Sequence, residues 1–174
     1  QLAGGTHNSA VNNYTLPEGY TGSFPNANQP GGDKLYCVTY DAELEDMQAA
    51  FNNGRAMIIY SGHGGNSGWE VGGYSQSDVR TLTNSGMYSF VASHACVTGD
   101  FAVSEVFGET WVLEPNKGAL VFWGSSDSSY WDEDDVLERV TFDSLFGDAP
   151  ANPDVATMTD AGLAGVEAAY SNSA

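Results

Sequence analysis

Basic residues are scarce in this chain: Lys and Arg number 5 against 23 Asp and Glu, a formal net charge of −18. Nucleic-acid binding needs clustered cations to neutralise phosphates, so that class of partner is excluded. Anionic lipid headgroups are disfavoured for the same reason. Such a field instead attracts cationic peptides or hard cations such as Ca²⁺, and it also keeps an extracellular protein soluble. Cysteine is nearly absent too. The two present, Cys37 and Cys96, permit one disulfide and rule out a thiol-based zinc cluster. No apolar run approaches the roughly 18 residues of a membrane span. No basic segment followed by an apolar stretch marks a leader peptide. The chain opens on Gln1-Leu2-Ala3-Gly4-Gly5, which reads as the exit of a strand, so an excerpt of a larger protein is expected.

What is present is 41% hydrophobic over 174 residues, enough for one domain with a substantial core. Residues 1–33 are rich in Gly, Asn and Pro, with Pro17, Pro25 and Pro30 as breakers, and read as a loop-rich lead-in. Leu35 to Tyr40 is β-branched and aromatic, of strand length, and puts Cys37 inside a sheet. Asp41 then offers an N-cap to a helix with Leu44, Met47 and Phe51 on one face and Gly54 past its end. Ala56 to Tyr60 is a wholly apolar strand, Ser77 to Arg80 a helical turn, and Met87 to Ser93 the next strand. A helix within Val103 to Leu113 precedes a strand from Gly118 to Trp123. Asp132 to Phe146 reads as a helix with an acidic first turn, and Asn152-Pro153-Asp154 as the start of a last helix reaching about Tyr170. This alternation, with strands apolar on both faces, predicts an α/β fold: a three-layer sandwich with a mostly parallel central sheet and helices on both faces. The whole is expected to be one domain, with a core over 34–146 and a C-terminal helix within 147–174.

Ligands of open α/β sheets bind outside the carboxyl ends of the strands. Two predicted strands end in reactive residues: one leads into Ser61-Gly62-His63-Gly64-Gly65, the other into His94-Ala95-Cys96-Val97-Thr98-Gly99. If these strands are neighbours, thiol and imidazole emerge at one edge, which a Cys–His pair requires. The glycines around His63 let the backbone turn and a substrate chain approach. Acyl transfer through a thioester needs N–H donors aimed at the developing oxyanion, and the amides of Gly64 and Cys96 are the candidates. The competing reading is structural: a buried cysteine, a histidine in a turn, or a Cys37–Cys96 disulfide that removes the nucleophile.

Tyr60 to Gly65, Ser93 to Phe101, and Pro115-Asn116-Lys117-Gly118-Ala119-Leu120, in this order, resemble the gingipain family of cysteine peptidases, which shares its fold with caspases, legumain and clostripain. The resemblance runs from about Leu35 to Phe146. It implies a caspase-like fold and a cysteine endopeptidase with a polypeptide substrate, with Cys96 as nucleophile and His63 as general acid/base. It also implies oxyanion donors at Gly64 and Cys96, Trp131 as a wall of the substrate pocket, and a secreted or cell-surface setting in a bacterium or archaeon. No preference for the residue before the scissile bond is carried over. Asp41 and Glu70 are candidates for an acid orienting His63, and both read more simply as surface carboxylates.

Beside Cys96, His94 is expected to be a packed, hydrogen-bonded histidine rather than the base, and His7 sits in the loop-rich lead-in with no partner for a metal. No cofactor is required by this chemistry. Calcium would relieve repulsion within Asp132-Glu133-Asp134-Asp135, although that run lacks the spacing of an EF-hand loop. Two alternatives use the same residues differently. One is a transpeptidase, in which an amine outcompetes water for the acyl enzyme. The other is a degenerate peptidase-like module retained for binding or scaffolding in a surface protein.

Overall fold

The computed structural model describes residues 6–147 and 158–172. The chain divides into two compact units, one formed by residues 1–20 and 130–174 and the other by residues 21–129.

The second unit holds the sheet. Its strands are β1 (Thr21–Gly22), β2 (Gln29–Pro30), β3 (Met57–Ser61), β4 (Gly64–Gly65), β5 (Gly68–Trp69), β6 (Ser89–His94) and β7 (Ala119–Gly124). Its helices are α2 (Leu44–Asn52), α3 (Gln76–Arg80) and α4 (Phe107–Leu113). The central sheet has the order β3-β6-β7, and both pairings are parallel. β1 with β2 and β4 with β5 form separate short antiparallel pairs. The apolar runs of the sequence become the three parallel strands because each must cover its faces with helices or loops. On β6, Val91 and Ala92 are both buried although they point to opposite faces.

One layer of the core is aromatic. Phe51 of α2, Trp69 of β5, Tyr74, Phe107 and Trp111 of α4 meet with ring centroids 5.1–6.5 Å apart. Most of these contacts are edge-on or tilted, as the ring quadrupoles favour, and each such pair adds about 0.5–1.5 kcal/mol beyond area burial. Trp69 belongs to the short β4–β5 hairpin that follows His63, and it is buried in one cluster with Ile58, Val91 and Ala95.

In the first unit, α1 (Thr6–Thr15) and α6 (Met158–Asn172) both pack on α5 (Trp131–Phe146). Gly165 lets α6 approach closely: a Cβ there would lie 2.7 Å from the Leu137 carbonyl oxygen and from Thr141 Oγ1.

Three expectations change. The lead-in is not loop throughout, because Thr6–Thr15 is helical. Its sequence has poor intrinsic propensity, and contacts with α5 supply what propensity lacks: Tyr14 Oη donates to Asp143 at 2.5 Å, and its ring meets Phe146 at 5.8 Å. Leu35 to Tyr40 is not a strand. The Tyr40 N–H bonds the Tyr36 carbonyl at 2.9 Å and the two rings stack 5.9 Å apart, so the segment closes on itself as a turn, and Cys37 lies in that turn rather than in a sheet. The helix cap also moves. Glu43, not Asp41, takes the N-cap position of α2, and its N–H donates to Asp46 Oδ2 at 2.9 Å. Asn152-Pro153-Asp154 lie outside the described residues.

Candidate active site

The parallel register of β3 and β6 brings the two reactive loops together. Met57 pairs with Phe90, and each following pair keeps the same step as far as Ser61 with His94. The Gly62 N–H extends the ladder one residue further, donating to the His94 carbonyl at 3.2 Å. Two residues beyond Ser61 is His63, and two residues beyond His94 is Cys96. Neighbouring strands lie about 4.8 Å apart, so the histidine and cysteine loops leave the same sheet edge side by side.

His63 is exposed and starts the β4–β5 hairpin. Its carbonyl accepts the Glu70 N–H at 3.0 Å and the Tyr60 hydroxyl at 2.7 Å. The Glu70 bond flanks the Gly64–Trp69 pair, which makes that pair one whose amides do not face each other. The Gly64 N–H therefore points away from the hairpin partner. Gly64 also sits directly on the cysteine turn. A Cβ on it would lie 2.8 Å from Ala95 Cβ, 2.9 Å from Thr98 Cγ2 and 3.5 Å from the Cys96 carbonyl oxygen, so only glycine fits.

Cys96 opens a tight turn after β6. The next residue, Val97, has φ +50°, a left-handed conformation that costs a β-branched residue of order 1–3 kcal/mol. Surrounding bonds hold it there. The Val97 N–H donates to the Asp127 carbonyl at 3.0 Å and the Gly99 N–H to the Ser125 carbonyl at 2.8 Å. The segment after β7 is thereby tied to the cysteine turn, and Ser129 on it flanks the thiol: Cys96 Sγ lies 3.4 Å from the Ser129 nitrogen and 3.6 Å from its carbonyl oxygen. The Cys96 amide donates to no partner among the described residues.

Further links join hairpin to turn. Trp69 Nε1 donates to Ser93 Oγ at 2.9 Å, Ser93 Oγ lies 3.0 Å from Thr98 Oγ1, and Thr98 Oγ1 donates to the Ala95 carbonyl at 3.2 Å. The start of α4 holds both loops at once, with the Phe107 N–H on the Asn66 carbonyl at 2.7 Å and the Gly108 N–H on the Thr98 carbonyl at 2.9 Å.

Other candidates stand elsewhere. His94 is buried as the last residue of β6. Cys37 and Cys96 are both free thiols. Asp41 and Glu70 are exposed, and among the described residues no carboxylate hydrogen-bonds the His63 imidazole. Trp131 is the first residue of α5, in the helical unit, and is half-buried. His7 lies in α1. Asp132, Glu133 and Asp134 fill the first turn of α5, and Asp135 pairs with Arg139. Among the described residues no group of three His, Cys, Asp or Glu side chains converges as a metal site. Sequence reasoning missed Ser129 and Tyr60, because nothing local marks a backbone amide as the partner of a thiol 33 positions away or a strand-end phenol as the donor to a carbonyl three residues on.

A parallel α/β sandwich that presents a histidine loop and a cysteine loop from adjacent strand ends is of the caspase-like class. Sequence comparison carries this further: the family description "Peptidase family C25" matches residues 3–173, and the chain belongs to that family, the gingipain-type cysteine peptidases. Lys-gingipain of Porphyromonas gingivalis is 33% identical over 100 residues, covering 57% of this chain and 6% of that protein. Gingipain R2 of the same organism is 40% identical over 70 residues, covering 40% of this chain and 10% of the relative. Among solved structures, the crystal structure of the Arg-specific cysteine proteinase gingipain R superposes with a TM-score of 0.68 at 24% identity, over 81% of this chain and 32% of that one. A complex of the pro- and mature domains of P. gingivalis RgpB gives a TM-score of 0.69 at 22% identity, over 82% and 33%. The chain thus spans about a tenth or less of these curated relatives and about a third of the solved chains.

Proposed function

We propose that this chain carries the reacting centre of a cysteine endopeptidase, with Cys96 as nucleophile and His63 as general acid/base. The observation that carries the reading is the β3–β6 register together with the packing of Gly64 on the Ala95–Thr98 turn. The Cys96 thiolate attacks the peptide carbonyl carbon, forming a C–S bond and an oxyanion to which the N–H groups of Gly64 and Cys96 donate. Collapse breaks the C–N bond while the His63 imidazolium gives its proton to the leaving amine nitrogen. His63, now neutral, takes a proton from water as that water attacks the thioester, and the C–S bond breaks to return the thiolate. An amine in place of water would give transpeptidation through the same intermediate. Polypeptide substrates and an extracellular or cell-surface setting follow from the family. Trp131 enters as a pocket residue on the family pattern alone. Among the described residues no three His, Cys, Asp or Glu side chains converge as a metal site, and the proposed steps use no calcium.

The test compares the two thiols. Iodoacetamide at neutral pH is expected to alkylate Cys96 faster than Cys37, and His63→Ala to remove the difference. Equal rates at both cysteines, unchanged by His63→Ala, would sink the reading and favour a degenerate module.

A further inference from the structure

Glycines surround His63, so its local sequence does little to fix the plane of the peptide that joins it to Gly64. That plane matters doubly. In a trans peptide the C=O and N–H point in opposite directions, so whatever holds the His63 carbonyl also aims the Gly64 N–H. Two donors hold the carbonyl. One is the Glu70 N–H of the hairpin itself. The other is the Tyr60 hydroxyl at 2.7 Å, which also accepts the Val71 N–H at 3.2 Å. Tyr60 is well placed for this. Its ring stacks on Trp69 with centroids 4.5 Å apart and planes 10° from parallel, and Trp69 is buried in the aromatic core. Gly62 leaves room for the hydroxyl, since a Cβ there would lie 2.8 Å from Tyr60 Oη and 3.1 Å from Cζ.

We propose that Tyr60 is a positioning residue whose hydroxyl holds the His63–Gly64 peptide in the orientation that directs the Gly64 N–H away from Trp69 and towards the developing oxyanion. Burial, the largest influence, pushes the phenol up to about 12, so the hydroxyl keeps its proton at neutral pH and remains a donor. This role rests on the peptidase reading and gives it a part that the residues flanking His63 do not supply.

The experiment separates acylation from alkylation at the same sulfur. Acylation of Cys96 by p-nitrophenyl acetate passes through a tetrahedral oxyanion, whereas alkylation by iodoacetamide does not. In Tyr60→Phe, which keeps the stacked ring, acylation is expected to fall on the order of 10-fold, short of the ~100-fold cost of losing an oxyanion donor outright. Alkylation stays near the wild-type rate. Gly62→Ala displaces the hydroxyl and is expected to give the same split. In the double variant Gly62→Ala adds much less than it does alone, because the group it displaces is already gone. Unchanged acylation in Tyr60→Phe overturns the proposal, and so does a parallel loss of both rates, which marks a general loosening of the hairpin. If wild-type Cys96 acylates and alkylates no faster than Cys37, the peptidase reading fails first and this proposal with it.

Discussion

The Cys96 sulfur has a backbone partner that suits both of its protonation states. As a thiol it donates to the Ser129 carbonyl, and as a thiolate it accepts the Ser129 N–H, the two atoms lying 3.6 and 3.4 Å away. Hydrogen bonds to charged groups contribute about 1.5–3 kcal/mol. Ser129→Pro deletes the N–H and is expected to slow alkylation of Cys96 by roughly 10-fold, the lower end of that range. Ser129→Ala keeps the amide and should leave the rate unchanged. A loss of equal size in the alanine variant would assign the effect to the serine hydroxyl and refute the backbone role. The two residues proposed to do the chemistry were legible in the sequence because glycines and strand ends mark them. Ser129 was not, since its role is exercised by main-chain atoms that any residue except proline possesses.

At the level of elements, one buried side chain bridges the segments that lead into two neighbouring strands. Asn84 is fully buried. Its amide nitrogen donates to the Gly118 carbonyl at 2.7 Å and to the Met87 carbonyl at 3.2 Å, and its oxygen accepts the Gly118 N–H at 2.9 Å. It thereby ties the approach to β6 to the approach to β7. Asn84→Ala would strand these groups away from water, at about 1–3 kcal/mol for each unsatisfied group. A drop in melting temperature of about 2–4 °C per kcal/mol lost is expected for a chain of this size; an unchanged melting curve would show that water replaces the side chain. The strands that Asn84 aligns could be read from sequence because each is a short apolar run bounded by turns. The clamp could not, because its partner Gly118 is 34 positions away. The same distinction explains the two misread elements. α1 is helical through its packing on α5, and Leu35 to Tyr40 has strand composition without a partner strand, and β-propensity reflects such partners more than the backbone itself.

Across the whole molecule the few cations are all engaged. Arg55 pairs with Asp33, Arg80 with Glu105 and Glu114, and Arg139 with Asp135. Lys34 and Lys117 donate to the carbonyls of Pro30 and Arg80. Many of the other carboxylates, Asp41, Glu70 and Asp132 among them, are exposed to solvent. Alkaline conditions add a second load. Tyr60 is pushed up to about 12, and Tyr74, buried and bonded to Gln48 Oε1 at 2.8 Å, is also raised by burial. A phenol harder to ionise in the folded state stabilises fully below its unfolded value near 10. As pH rises past that value the unfolded chain loses its proton first, and the stabilisation drains away. Urea midpoints should therefore fall from about pH 10 upwards. The Tyr60 share is exhausted near pH 12, while the Tyr74 share continues beyond it. Tyr60→Phe should make the decline shallower, and identical slopes for variant and wild type would refute this assignment.

The common step between β3 and β6 carries a last consequence. Sliding one parallel strand by a single residue would turn every one of its side chains to the opposite face and carry the histidine loop out of step with the cysteine. A chain that closed its sheet one notch out of alignment would still be compact, yet it would lose the proposed pairing of His63 with Cys96. On that proposal, the rate of alkylation at Cys96 serves as a vernier of assembly, telling correctly indexed molecules from merely collapsed ones in a refolding mixture.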